Sequence, residues 1–473
     1  MVDRKPAQPT PLPGADDGHP RLNRGLKLVG TLFITLSAIT PASSVFIVAP
    51  GVITQAGTGA FLAFVIAAVV GVFMAFVYAE LGSAYPLSGG EYAIVARTSG
   101  RLPGFVVLGL FLVSQLLIIA VIALGVGTYL SVLLPGLHAP TVAAVTVVVA
   151  TVLAVFDIKL NAWVTGIFLA IELIALAVVS ALGLVNPQRS LADLVVHPVT
   201  AGAGGTVAAA SFGVVAGASA VALFAYNGYG AAVYLGEETH DAHRSVAKTV
   251  LWALGITVLA ELVPVTAVLL GSPSLPDLFG ASNMMEHFIT DRAGSTVNDI
   301  VSLAVAVAIF NAVLAIILVT ARMIFSTGRD TTWPAPISKA VSAIHPRFGS
   351  PWIATLVTGA IGTAFCFADE QVLLVVTSTT LIAIYAVLCV SVLLGRRNGS
   401  TAHAAYRMPL FPVAPLLAIA AIAYVAYQNF TDPEVGRPSL AITAGIAVLF
   451  AAYYLFVLRR RGSWELRGAA DES

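Results

Sequence analysis

Charge is what this chain has least of. Only 10% of its 473 residues are Asp, Glu, Lys or Arg, where a soluble domain carries about a quarter. A water-soluble fold of this size is excluded, and the balance of 24 basic against 24 acidic residues gives no reason to expect nucleic acid as a partner. Cysteine is nearly absent: Cys366 and Cys389 both lie inside apolar stretches, which excludes a disulfide framework and a zinc site. Catalytic constellations are missing too. The apolar runs contain no His/Asp/Glu cluster at metal-ligand spacing and no nucleophile–base pair, so neither an enzyme, a metal nor a cofactor is expected.

What the chain has instead is apolar sequence, at 58% hydrophobic residues and a mean hydropathy of +0.93. A membrane helix needs about 20 apolar residues. Runs of that order fall at 28–54, 58–82, 104–134, 140–157, 160–185, 211–235, 247–271, 298–325, 351–368, 371–395, 410–428 and 438–458, twelve in all. If the N-terminus is cytoplasmic, the inner segments hold 21 of the 24 Lys and Arg, leaving only Arg189, Arg292 and Arg437 outside. A miscounted span would invert every later loop and scramble that asymmetry. The expectation is an all-α integral membrane protein of a bacterial-type cell (inner) membrane, with both termini cytoplasmic and the lipid bilayer as its surroundings. Pro-rich, charged residues 1–23 and the tail 461–473 read as disordered, and no cleavable signal peptide is expected. The outer segments 186–210 and 272–297 read as short helices or extended lids.

Two runs are interrupted near matching positions. The first passes through Ile39-Thr40-Pro41-Ala42-Ser43-Ser44-Val45, the second through Phe224-Ala225-Tyr226-Asn227-Gly228-Tyr229-Gly230. Broken backbone at bilayer depth is tolerated only where protein buries it or a polar cavity wets it, so paired breaks point to a binding site between two repeats. The competing reading is that Pro41 and Gly228 merely kink their helices. The half-helix starting near Ser43 presents backbone N–H groups and a positive dipole end to an anion. The carbonyls freed at Ile39, Thr40, Phe224 and Asn227 suit an ammonium, and one zwitterion satisfies both sets.

Short motifs then set the family. Ala79-Glu80-Leu81-Gly82-Ser83-Ala84-Tyr85-Pro86-Leu87-Ser88-Gly89-Gly90-Glu91-Tyr92, closing with Gly100-Arg101-Leu102-Pro103-Gly104-Phe105, joins the second and third runs. Gly236-Glu237-Glu238-Thr239 follows the sixth, and Ala321-Arg322-Met323-Ile324-Phe325 with Arg329-Asp330 and Trp333-Pro334 follows the eighth. In this order and in these loops they resemble the amino acid–polyamine–organocation transporter superfamily, over roughly 25–460. The resemblance implies a LeuT-type fold, with inverted repeats over 24–185 (spans one to five) and 211–395 (spans six to ten), the outer loop 186–210 between them, and two peripheral spans in 396–460. Relatives usually carry glycines in the first break, where this chain has Ala42-Ser43-Ser44.

By the same resemblance Phe224 takes the place of an aromatic gate over a small-molecule substrate, with Ala225 beside it. Ser114, Gln115 and Asn311 are isolated polar residues in apolar spans, with two roles open to each: lining the pocket or bonding a neighbouring helix. Thr377, Ser378, Thr379 and Thr380 form a polar patch for a hinge or a cavity wall. Glu172 and Glu261 lie mid-span with no Lys or Arg at their depth. Glu261 reads as a structural acid bonded to a backbone carbonyl. Glu172 occupies the place where many relatives have a coupling lysine, and is the candidate for coupling or for pairing with a substrate ammonium. Leu303 to Val319 holds no Ser or Thr, so the sodium site of LeuT-type relatives is incomplete. The leading expectation is a sodium-independent secondary transporter of a small amino acid or related amine, working by alternating access. The alternative is a polyamine importer or exchanger. Oligomeric state is not legible.

Overall fold

The computed structural model describes residues 22, 24–134, 136–202, 206–462 and 464–466; the tails expected at 1–23 and 461–473 fall almost wholly outside these. In chain order the helices are α1 (Leu28–Ile39), α2 (Pro41–Ser43), α3 (Ala49–Ala56), α4 (Ala60–Ala84), α5 (Glu91–Thr98), α6 (Arg101–Leu133), α7 (Ala139–Ala154), α8 (Ile158–Leu184), α9 (Leu191–Val196), α10 (Phe212–Ala225) and α11 (Ala231–Tyr234). Then come α12 (Ala242–Gly271), α13 (Leu275–Gly280), α14 (Met284–Ala293), α15 (Ser295–Arg329), α16 (Ala335–Val341), α17 (Trp352–Phe365), α18 (Glu370–Asn398), α19 (Val413–Thr431), α20 (Gly436–Tyr453) and α21 (Arg459–Arg461). Between α9 and α10 runs a two-stranded antiparallel hairpin, Val199–Ala201 with Val207–Ala209.

Among the described residues, eight helical stretches are long and apolar enough to cross a membrane. Their outer surface is apolar as well: Trp163, Trp252 and Leu259 are between 61% and 70% exposed. Water would penalise such a surface; hydrocarbon does not. The protein is a multi-pass membrane protein. Inside, small residues let backbones approach, as at the α8–α12 crossing, where a Cβ on Gly183 would stand 2.0 Å from the Ala267 carbonyl oxygen.

One end of the molecule is cross-braced by charge. Glu238, after α11, receives Arg322 of α15 through Nε, and through Nη2 at 3.1 Å. Glu237 receives Arg329 in bidentate fashion at 2.6 and 2.9 Å, and takes the Ser88 N–H at 2.9 Å. Glu80 of α4 binds Arg396 at 2.7 and 2.6 Å and the Met408 N–H at 2.8 Å. The backbone of Leu26 is pinned across to Glu238 and His240 at 2.9 Å each. Three loop motifs far apart in sequence thus interlock in space, and the buried carboxylates are each matched by a guanidinium.

Candidate functional site

The first break is tighter than its sequence suggests. Proline has no N–H and cannot continue the ladder; Thr40 turns into the left-handed region at φ 52° and α2 restarts at once. Ser44–Val48 then widens into a π-helix, a form common at functional sites. Thr40 donates its N–H to Leu36 O at 2.9 Å and accepts from the Ser44 N–H at 3.2 Å. Its hydroxyl lies 2.9 Å from that of Ser43. In the second break α10 stops at Ala225, the chain turns through Tyr226–Gly230, and α11 resumes. Gly228 adopts φ 120°, and a Cβ there would stand 2.9 Å from the Ile39 Cα. Ser44 ties the two breaks together by donating its hydroxyl to Ala225 O at 2.9 Å.

Around this junction lies a cavity. Ile39, Thr40, Ser43 and Ser44 line it from the first break, Phe224, Ala225, Asn227 and Gly228 from the second, and Ser114 and Gln115 from α6. Three residues expected with them stand elsewhere. Val45 is buried in the core. Ala42 gives its N–H to Glu172 Oε1 at 2.7 Å. Asn311 spends its amide N–H groups on Ser37 Oγ at 2.8 Å and Thr165 O at 3.2 Å, bracing α15 against α1 and α8. Two carbonyls read as freed are also engaged, Thr40 O by Ser44 N and Phe224 O by Asn227 N at 3.1 Å, because the breaks are short turns; each keeps a second lone pair.

Phe224 lines a second cavity too, with Ile47, Gln55, Tyr385, Gln428 and Asp432, and so stands between the two spaces. Asn227 Oδ1 accepts a short hydrogen bond from the Tyr385 hydroxyl. Glu172 does not line the cavity; it sits behind the first break, fully buried, with Oε2 unpartnered among the described residues. An acid there meets the N–H end of the second half-helix, whereas a lysine would seek the carbonyl end of the first. The carbonyl partner expected for Glu261 is absent among the described residues, since neither of its oxygens has a hydrogen-bond partner.

Sequence reasoning missed Tyr78, Glu91 and Phe111, all of which line the cavity. Glu91 is the one charged side chain among the described lining residues. It opens α5 after Gly90, whose φ of 57° turns the chain inward. The Tyr78 hydroxyl donates to Glu91 Oε1 at 3.0 Å, Oε2 has no partner, and burial pushes the carboxyl up to about 8. A single acid following a glycine pair in a loop motif gives no sign in sequence that it faces a cavity.

A family profile described as amino acid permease matches residues 26–459. An uncharacterised transporter of Mycobacterium tuberculosis (strain H37Rv) is 30% identical over 76% of this chain and 76% of its own length. The branched-chain amino acid permease BcaP of Bacillus subtilis (strain 168) is 26% identical over 84% and 86%, and the methylthioribose transporter of the same organism 23% identical over 75% and 77%.

Proposed function

We propose that this chain, which belongs to the amino acid permease family, is a secondary transporter of neutral, aliphatic amino acids that works by alternating access between two inverted repeats. The observation that carries this reading is the cavity itself. Two chain breaks meet in it with hydroxyl groups and polar turn backbone at one side, while Ile118, Ile122, Ile316, Val319, Leu381 and Ile384 supply an apolar wall. A zwitterion with an aliphatic side chain satisfies both halves. The relative named for branched-chain amino acids supports the same class.

Twelve spans fit the helix inventory. Leu28–Ala84 covers 57 residues, roughly 85 Å of helix at 1.5 Å per residue, which suits two crossings joined at Gly57–Gly59. With the three shorter apolar helices Ala139–Ala154, Phe212–Ala225 and Trp352–Phe365 the count reaches twelve. The braced end carries the Arg-rich loops and is read as cytoplasmic. Sodium independence is supported by the lack of Ser and Thr in Leu303–Val319, where the polar side chain of Asn311 is spent on bracing Ser37 and Thr165. Glu172 remains a coupling candidate in a defined sense: its grip on the Ala42 N–H must loosen if the first span is to swing against α8. The polyamine alternative loses support, because Glu172 is turned away from the cavity toward that N–H.

The test is uptake of labelled leucine into proteoliposomes of the purified protein. Free neutral amino acids should compete, leucine methyl ester should compete at least about 10-fold more weakly because it has lost the charge that the helix N-terminus favours, and choline in place of sodium should change nothing. Equal competition by the ester, steep sodium dependence, or competition by methylthioribose alone would each overturn the reading.

Phe224 gives a second expected result. Its ring separates the two cavities, so in Phe224→Ala bound leucine should escape about 10-fold faster while thermal stability falls by less than a core Phe deletion, about 3–5 kcal/mol, would cost. Unchanged release in a well-folded variant would make the ring packing only.

A further inference from the structure

The sequence draws attention to Glu172, but the acid that faces the cavity is Glu91. It is 1% exposed, one oxygen held by the Tyr78 hydroxyl at 3.0 Å and the other without a partner among the described residues. Among the described residues, none on the surrounding elements neutralises it. From α4 it meets Tyr78 and from α18 Tyr385, and the ring of Tyr229 from the second break packs edge-on against Tyr78 at 5.6 Å. The ring of Tyr234 lies beside Gly90, and α6 offers Phe111, Ser114 and Gln115. No Lys, Arg or His lines the cavity among the described residues. Arg97, on the same helix as Glu91, reaches away to Leu466 O at 3.1 Å and over the Tyr85 ring.

A permanently ionised carboxylate in such a wall would attract any cation and would repel the carboxylate of an amino acid. A permanently neutral one would leave its O–H unbonded, which is costly in the same way. A group that changes state when the cavity opens or closes avoids both costs. Resting on the reading of this cavity as an amino acid site, we propose that Glu91 is the proton site of the transport cycle: Oε2 takes one proton from water as the cavity closes around its substrate and returns it to water when the cavity opens at the braced end. That exchange makes the transporter a proton symporter, with one proton moved by Glu91 per substrate.

The sign follows from burial. Closing the cavity excludes water and favours the neutral carboxyl. Leucine binding should therefore draw a proton from the buffer at pH values between the ordinary carboxylate range and about 8, where Glu91 is ionised in the open, wet cavity and neutral in the closed one, and draw none well above about pH 8, where it stays ionised in both.

Two measurements on the full-length purified protein test this. In infrared difference spectra between about pH 7 and about pH 9, a protonated-carboxyl carbonyl stretch should vanish on alkalinisation in the wild type. It should be missing from the difference spectrum of Glu91→Gln and persist in those of Glu172→Gln and Glu261→Gln. Calorimetry of leucine binding in buffers of different ionisation enthalpy should show about one proton taken up at about pH 7 by the wild type and none by Glu91→Gln. Should Glu91→Gln fail to fold, Tyr78→Phe, which removes the side-chain donor to the carboxylate, should move the infrared midpoint upward by about half a pH unit or more. A band untouched by Glu91→Gln, a midpoint unmoved by Tyr78→Phe, a band lost in Glu172→Gln instead, or leucine binding with no proton exchanged would overturn the proposal. If no amino acid binds at all, the transport reading falls, while the infrared band still decides whether Glu91 titrates.

Discussion

Gly228→Ala should fold and reach the membrane yet bind substrate about 100-fold more weakly, an amount reached by about 2–3 kcal/mol of strain at the site. At φ 120° an L-residue is strained whatever the surrounding space, and here there is no space. The new Cβ would meet the Ile39 Cα at 2.9 Å, its Cγ1 at 3.0 Å and its N at 3.1 Å. Two of those atoms are backbone, so relief means moving one break off the other. The Ser44–Ala225 bond spans the same junction and would be stretched with it. Gly255→Ala in α12 is the control, because its Cβ would meet nothing within 4 Å; there alanine should stabilise slightly, by up to about 1 kcal/mol. The measurement is leucine affinity by calorimetry on both variants, with size-exclusion behaviour as the check on folding. Wild-type affinity in Gly228→Ala would show that the contact between the breaks is dispensable for binding.

That contact also marks how far sequence could reach. Pro41 and Gly228 announced two breaks because both residues disturb a hydrogen-bond ladder wherever they stand, and such effects are local. Their pressing together was not legible, since it depends on how α1, α10 and their neighbours pack. Glu172 is a similar case. Its depth and its lack of a basic partner were written in the chain, whereas its choice of the Ala42 N–H follows from the restart of the helix at Pro41, two links further on. Asn311 was identified as an odd polar residue, but whether it faced a ligand or a helix turned on the rotation of α15, and it faces Ser37 and Thr165. Glu91 escaped altogether, because a loop acid near a glycine pair looks solvated until the loop is seen to fold into the protein.

Arg322 offers the largest expected effect on stability. It is wholly buried, as is Glu238, both side chains being 1% exposed. Its guanidinium binds both carboxylate oxygens of Glu238 and the Leu318 carbonyl at 2.8 Å. Arg322→Met removes one charge and leaves the other without its counter-ion, which costs about 3–5 kcal/mol in comparable buried pairs. The double variant Arg322→Met with Glu238→Leu removes both charges and should recover most of that loss, because the desolvation cost goes with the ions. Breaking the Arg396–Glu80 pair by Arg396→Met should cost less, since Arg396 is itself 19% exposed and the buried Glu80 keeps the Met408 N–H as a donor. The fraction of folded protein remaining after heating in detergent ranks the three variants. A double variant as unstable as Arg322→Met would mean that the shape of the two side chains, rather than the balance of charge, holds this end together. Function adds a second test, because Glu238 also carries the backbone bond to Leu26 and so ties α15 to the start of the first span. If the charged pair serves as a latch that must open in each cycle, the double variant should be stable and still bind leucine, yet its rate of exchange across the membrane should change. A rate equal to wild type would leave the pair a structural brace only.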